Sequence, residues 1–493
     1  MTNKLLGAVA SGHPLTTNAA KQILQAGGNA FDACIAAAFM SSVSEPLLNS
    51  LGGGGYLLAK TSDNKKILFD FFVNFPGVSC SQLKLPQMTE IIVEFSNSTQ
   101  TFHTGPSSIA TPGTLKGLLS THEKLGILPL KEVLKPTITS ALHGVELNKT
   151  QAYVACLLDP IIKQSSQAKK YFYKNNKTPL KEGDTYKNSD YANYLSDLHN
   201  DLGKSLYLGD LKTKLLKNLS SQTILNQKDF EIYRVIERKP LKSKYRDYTI
   251  LTNPLPSLGG SLILGLLHNL EKQQLHKTKW GSSSHLQLLA KAMIDLEESH
   301  FEEFLENSKH LHTFTKGTTH ISVSDKDGNM ASLSLSNGEG SGEYIPDTGI
   351  MLNNMLGEDD LFNKDHHDFS PGERVLSMMS PCIVENEQHK IVIGSGGSKR
   401  IRSSLLQVLS HLIDFNKPLY EAIHSPRMNW DGKNLQLEPG YANEALQQLP
   451  SEFALNLWAH KEFYFGGAHA VLDMKEAVGD ERRGGYGELV YSE

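Results

Sequence analysis

The chain has 493 residues, more than one simple hydrophobic core needs, so it holds one large or two intertwined domains. Its 39% hydrophobic and 21% charged residues are those of an ordinary soluble globular protein, and a formal net charge of -4 leaves no basic footprint for nucleic acid. Four scattered cysteines, Cys34, Cys80, Cys156 and Cys382, contain no CxxC pair, which argues against a zinc site and against a disulfide scaffold.

Taken from the N-terminus, "MTNKLLGAVASGHPLTT" lacks an apolar core of signal-peptide length, and the longest apolar run, "CIAAAFM", is far too short to span a membrane. The expectation is a cytoplasmic protein with no membrane partner; a chain already stripped of a leader would look the same and be periplasmic or secreted. "NAAKQILQAGGNAFDACIAAAFMSSV" predicts two helices, the first capped by Asn18 and closed at Gly27-Gly28, the second opened by Asn29 and alanine-rich enough to pack tightly inside. "LGGGGYLLAK" places four glycines before a strand, and "KKILFDFFVNFPG" is a strand running into a Pro-Gly turn. "ATPGTLKGLLSTHEKLG" turns at Pro112-Gly113 and enters a helix that ends near Gly126. Helical patterns alternate with polar connections over 130–240. "YRDYTILTNPLPSLGGSLILGLLHNLE" gives strand, loop and apolar helix, and "SSHLQLLAKAMIDLEESHFEEFLE" a strong amphipathic helix.

A polar stretch, 307–317, follows, and the pattern then changes. "THISVSDKDGNMASLSLS" alternates apolar and polar residues about an Asp327-Gly328 turn signal, which predicts a β-hairpin. "HKIVIGSGGSKRIRSSLLQVLSHLIDF" is strand, glycine loop and helix; backbone N–H groups at such a helix start can meet an oxyanion.

The hairpin begins at Gly317-Thr318-Thr319. A cut between Gly317 and Thr318 would leave Thr318 as a new N-terminus on the first residue of a strand. A free α-amine has a pKa of about 8 and can take a proton near neutrality. It sits on the same residue as the hydroxyl, so nucleophile and base come preassembled and no separate His-Asp pair is required. By itself Gly-Thr-Thr before a strand is an ordinary strand start.

Its company makes the difference. "AGGNAFDACIAAAFMSSVSEPLLNSLGGGGYLL", "TPGTLKGLLSTHEKLG", "LPSLGGSLILGLL", "GTTHISVSDKDGNMASLSLS", "TGIMLNNML", "LSMMSP" and "GSGGSKRI" occur in this order along nearly the whole chain. In these pieces the sequence resembles the gamma-glutamyltransferase (gamma-glutamyl transpeptidase) family. The resemblance implies an α+β fold, the four-layered αββα Ntn-hydrolase sandwich. It implies a precursor that cleaves itself at Gly317-Thr318 into a large subunit, 1–317, and a small subunit, 318–493, which stay intertwined. By position Thr318 matches the nucleophile. Ser336 matches a threonine that hydrogen-bonds the nucleophile's amine, and Gly396 and Gly397 match the pair whose N–H groups form the oxyanion hole. Glu358 matches an aspartate that grips the substrate α-amino group; Ser377 matches the first of two serines on the α-carboxylate; Asn337, beside Ser336, joins the substrate-binding set. The implied activity is cleavage of gamma-glutamyl amides such as glutathione through a gamma-glutamyl-enzyme, with water or an amine as acceptor. No metal or organic cofactor is implied, and the partners are a small amide or peptide and the two fragments of one precursor.

Departures gather at one end of that site. The family carries an arginine for the substrate α-carboxylate in a stretch close to "DFREXAP" (X any residue); here "DFFVNFPG" puts Phe72 at that position. A ring does not replace a bidentate guanidinium. The serine pair is Ser377-Met378, so one hydroxyl is gone, and the loop after the hairpin is "SNGEGSG". A lost charge-assisted bond is worth roughly 1.5–3 kcal/mol. Either Lys399 or Arg400 replaces the missing cation, or the enzyme is an acylase for an amide that is not gamma-glutamyl. An inactive homologue serving as a binding or scaffold protein is the remaining reading.

Other motifs have plainer readings. "DKDGN" at Asp325–Asn329 is a hairpin turn rather than a calcium loop. The histidines of "HLHTFTKGTTH" and "KDHHD" lack metal-site spacing, and His320 is structural. "GGGGY" permits tight packing. "GDERRGG" is a surface turn with an Asp480–Arg482 or Asp480–Arg483 pair, or a site for an acidic group.

Overall fold

The computed structural model describes residues 3–81, 83–95, 98–307, 317–357 and 370–492. Two antiparallel sheets stack face to face, and helices cover both outer faces, giving the four-layered αββα sandwich. The first sheet uses β1 (Leu5–Ser11), β2 (Gly54–Lys60), β3 (Lys66–Asp70), β4 (Ile236–Arg238), β7 (Thr318–Asp325), β8 (Met330–Ser336) and β13 (Tyr486–Tyr491), in the order β4-β3-β2-β8-β7-β1-β13. The second uses β5 (Leu241–Tyr245), β6 (Tyr248–Thr252), β9 (Cys382–Glu385), β10 (Lys390–Gly396), β11 (Gly467–Leu472) and β12 (Glu476–Val478), in sequence order. The strands that begin and end the chain, β1 and β13, pair with each other beside the hairpin β7–β8, so residues before and after Thr318 share one sheet.

On the outer face of the first sheet lie α1 (Pro14–Gln25) and α2 (Ala30–Ser44). Helix α1 starts four residues before the predicted cap. Pro14 needs no N–H partner in the first turn, and the His13 imidazole accepts from the Leu15 amide at 3.1 Å. Asn18 therefore sits exposed inside the helix instead of capping it. Helix α2 starts at Asn29 as predicted: Asn29 and Asp32 form a reciprocal capping box, and every residue of the helix is buried. Its alanines let the helix lie close on β7 and β8 while the helices of 114–143 cover its other side. The second sheet is covered by α3 (Leu258–Lys272), α4 (Ser283–Asn307) and α5 (Arg400–Ile413).

The glycines before β2 serve close approach. A Cβ on Gly53 would lie 2.1 Å from the Ser336 carbonyl oxygen, so only glycine lets this strand enter beside β8. The β7–β8 turn passes through Gly328 at φ 89, and the Asp325 carboxylate accepts from the Asp327 and Asn329 amides at 3.0 and 2.9 Å. Its other oxygen accepts from the Ala30 amide at 2.8 Å, so "DKDGN" ties the hairpin to the start of α2.

Alternation along β7 decides what faces what. Thr319, Ile321 and Val323 point to the helix layer; Thr318, His320 and Ser322 point between the sheets. His320 lies between Ser334 at 2.8 Å and Ser322 at 3.1 Å, under Gly394, whose Cβ would meet its ring. Burial, with His469 nearby, holds its imidazole well below the usual range, so the ring is neutral and packs the two sheets together.

Candidate active site

Strand pairing assembles the site. Thr318, the first residue of β7, stands opposite Ser336, the last of β8, and Ser336 stands opposite Gly54 on β2. The same antiparallel register continues through mutual Gly55–Phe71 backbone hydrogen bonds, which sets Phe72 beside Gly54. Thr318, Ser336, Gly54 and Phe72 thus form one row on the inner face of the sheet.

At one end of that row Thr318 is fully buried, and its Oγ1 has no hydrogen-bond partner among the described residues. The Ser336 hydroxyl donates to the Gly317 carbonyl oxygen, the acyl oxygen of the Gly317–Thr318 bond, and accepts from the Gly338 amide at 3.1 Å. Gly317 has no room for a side chain: its Cβ would lie 1.9 Å from the Gly338 carbonyl oxygen. The glycine loop arrives from the second sheet. A Cβ on Gly396 would lie 2.2 Å from the Thr318 carbonyl oxygen, and Gly397 has φ 122, a conformation suited to glycine. Gly317, Thr318, Ser336, Gly396 and Gly397 are thus brought together.

Asn337 follows Ser336, with its Nδ2 donating to the Leu352 carbonyl at 3.4 Å and its buried Oδ1 without a partner among the described residues. The loop it enters is held by Asn354, whose side-chain oxygen accepts from the Glu339 and Gly340 amides at 2.8 and 3.1 Å. Asn353 bridges the Gly52 and Ala110 carbonyls at 2.8 and 3.0 Å. Both asparagines lie in "NNML", which sequence reasoning matched without giving them a role. Glu358 lies outside the described residues. Ser377 sits on a separate segment bridged to Ser257; its hydroxyl accepts from the Met379 amide at 3.1 Å, and no described contact joins it to Thr318. Met378 packs with Leu258 in a small apolar cluster flanked by Leu262 and Leu376.

Phe72 is fully buried and stacks on Tyr56 with ring centroids 5.6 Å apart. A cation does come near it from elsewhere in the chain. Arg374 donates to the Asp70 side chain and carbonyl, each at 2.9 Å, to Asn74, and to the Arg234 carbonyl at 2.6 Å. Asp70 also takes Arg238 at 2.7 Å. Arg400, one of the suggested replacements, is buried over the Tyr464 ring and donates to the Tyr464 carbonyl at 2.9 Å.

The segment "GDERRGG" departs most from expectation. Its Asp480, Arg482 and Arg483 are buried, with Glu481 exposed: Asp480 pairs with Arg427 at 2.6 Å and, as one of the two expected pairs, with Arg482 at 3.2 Å. Burial alone would raise its carboxyl, but the two guanidiniums hold it well below the usual range. Arg483 does not pair with Asp480; its Nη1 donates to the Thr318 carbonyl at 3.2 Å. On the helix side of β7, Glu45 accepts from the Thr319 hydroxyl at 2.8 Å. Sequence reasoning passed over Glu45 and gave Arg483 no place at the site; the one available signal was that both charges fall inside or beside stretches otherwise rich in buried-type residues.

The Gamma-glutamyltranspeptidase family model matches residues 16–295 and 294–490. The Acylase ACY 1 proenzyme of Pseudomonas sp. (strain SE83) is 29% identical over 486 residues, covering 90% of this chain and 86% of that protein. The glutathione hydrolase proenzyme of Escherichia coli (strain K12) is 27% identical over 501 residues, covering 90% and 85%. Among solved structures, the cephalosporin acylase from Bacillus halodurans shares the fold with a TM-score of 0.79 at 22% identity, over 99% of this chain and 96% of that one. The gamma-glutamyltranspeptidase of Helicobacter pylori superposes with a TM-score of 0.54 at 26% identity, over 61% of this chain and 85% of that one. The chain belongs to the gamma-glutamyltranspeptidase family of Ntn hydrolases.

Proposed function

We propose that this protein is an amide-cleaving acyl-transfer enzyme that matures by cutting its own Gly317–Thr318 bond into fragments 1–317 and 318–493. One observation carries the reading: a buried threonine hydroxyl with no partner among the described residues stands at a strand start, and the carbonyl preceding it accepts a hydrogen bond from Ser336. In maturation the Thr318 Oγ1 attacks the Gly317 carbonyl carbon, and the Ser336 O–H stabilises the negative charge that grows on the oxygen. The C–N bond breaks with transfer of a proton to nitrogen, and water cleaves the resulting ester. Thr318 is left with a free α-amine. In turnover that amine takes the hydroxyl proton as Oγ1 attacks the substrate carbonyl, then gives it to the leaving amine. Gly396 and Gly397 supply N–H groups to the oxyanion. Water or an amine resolves the acyl-enzyme.

Two acyl classes are open to this chemistry. A gamma-glutamyl group follows from the kinship with glutathione hydrolases, with Glu358, Asn337 and Ser377 as its contacts. An acyl group lacking the glutamyl α-carboxylate is favoured by Phe72 and Met378, and by Arg374, whose contacts with Asp70 and Asn74 commit it elsewhere. The intact Thr318–Ser336 arrangement disfavours a purely scaffolding role.

The test is Thr318→Ala. It is expected to remain one chain on a denaturing gel and to be inert towards a panel of gamma-glutamyl and other acyl anilides that the split wild type discriminates. Splitting of the variant at the same bond would remove Thr318 from the mechanism.

A further inference from the structure

We infer that Glu45 and Arg483 form a charged clamp on the first two residues of β7 and set the proton affinity of the Thr318 α-amine once it is free. The inference rests on Thr318 being the nucleophile. Its two partners grip adjacent residues by different groups: Arg483 takes the Thr318 backbone carbonyl, and Glu45 takes the Thr319 hydroxyl. If the chain is cut at Gly317–Thr318, Glu45 belongs to the large fragment and Arg483 to the small one, so the pair holds the new terminus in register across the break.

Packing fixes the pair. The Arg483 guanidinium lies under the glycine loop, where a Cβ on Gly396 would be 3.0 Å from its Nη1 and one on Gly397 3.3 Å from its Nη2. The Phe463 ring lies over the guanidinium at 3.7 Å. Its Nε is buried with no partner among the described residues, so the cation has been kept at a cost that a surface arginine would not meet. Glu45 is buried at the end of α2, with Thr16 on its second oxygen at 3.4 Å, and Gly12 leaves it room: a Cβ there would lie 2.2 Å from Oε1.

The charges on either side act on the amine with opposite sign. A nearby cation lowers its affinity for a proton and a nearby anion raises it. Burial, with Arg400 adding its charge, brings Arg483 down to about 9; burial pushes Glu45 up to about 7 against its hydrogen bonds and the Arg483 charge. Of the other charged groups, Glu339 is buried on the loop after β8 and accepts from the Asn354 side chain at 3.3 Å. Asp480 is committed to Arg427 and Arg482, and burial leaves His320 and His469 neutral. Arg400 reinforces the positive side. A unit charge held within about 7 Å in a site of intermediate dielectric shifts a neighbour's titration on the order of one pH unit.

The experiment compares split wild type, Glu45→Gln, Arg483→Met and Arg483→Lys through the pH dependence of kcat/KM on the best anilide of the panel. The acidic limb reports the amine. It is expected to move to lower pH by about one unit in E45Q, to higher pH by about one unit in R483M, and to stay near wild type in R483K. A pair that only packs would lower rates with the limbs unmoved, and that result overturns the inference, as does movement of both limbs in the same direction. Failure of both E45Q and R483M to split also overturns it, since it would place the pair in folding or scission. If T318A stays uncut while the limbs do not move, the clamp fails and the nucleophile stands.

Discussion

The row Thr318–Ser336–Gly54–Phe72 crosses one sheet face, and its two ends were built differently. At the Thr318 end, backbone does the placing: register sets Ser336 opposite the threonine, glycines let carbonyls and loops approach, and few side chains decide the outcome. At the Phe72 end, side chains do the placing: an aromatic stack with Tyr56 and an arginine shared between Asp70 and Asn74. Geometry held by strand pairing resists single substitutions, because moving it means slipping a whole register. A wall made of side chains changes one residue at a time. A family can therefore keep its bond-breaking chemistry while its members diverge in what they take, and glutathione hydrolase and acylase proenzymes stand at similar identity to this chain.

The sharpest way to break this contrast is at the backbone end. Gly317→Ala puts a methyl group 1.9 Å from the Gly338 carbonyl oxygen. Relief requires moving the scissile carbonyl off Ser336, so self-cleavage should fall by more than about a thousandfold, read as persistence of the uncut chain on gels over days. Ser336→Ala keeps the backbone and removes one oxyanion donor, so scission should slow by about 10²–10³-fold, with Ser336→Thr restoring most of it. If S336A matures at the wild-type rate, the hydrogen bond to Gly317 is incidental and backbone placement alone suffices.

The backbone end was also the end legible in the sequence. The β7–β8 alternation, its Asp-Gly turn, the glycines before β2 and the strand–loop–helix of 390–413 are local patterns, and local patterns carry their own geometry. Asn29 was legible as a cap for the same reason, while His13 was not, because an imidazole cap ahead of a proline has no strong sequence signature. Glu45 and Arg483 could not be found by pattern. They meet β7 across 274 and 165 residues, and a charged run near the end of a chain is ordinarily a solvated turn. Arg374 was missed likewise: its partner Asp70 is 304 residues away. Long-range charge pairing is the part of a site that composition and periodicity do not encode.

The gentlest probe addresses the side-chain end. Phe72→Arg places there the residue type that the family resemblance implies for this position, but sets a third guanidinium near Asp70, which already takes Arg374 and Arg238. Asp70 cannot neutralise all three, and the Tyr56 stack is lost, so denaturant unfolding should show a stability loss of about 2–4 kcal/mol. A charge-assisted contact to an α-carboxylate is worth roughly 1.5–3 kcal/mol, and part of that is spent on desolvating the new cation. The ratio of kcat/KM for a gamma-glutamyl anilide to that for an acyl anilide without the carboxylate should therefore rise by about tenfold and no more. A rise of that size with self-cleavage unchanged would show the two ends to be separable. An unmoved ratio in a folded, split variant would mean that the carboxylate is met elsewhere, and the division between a fixed chemical end and a free recognition end would have to be redrawn nearer to Thr318.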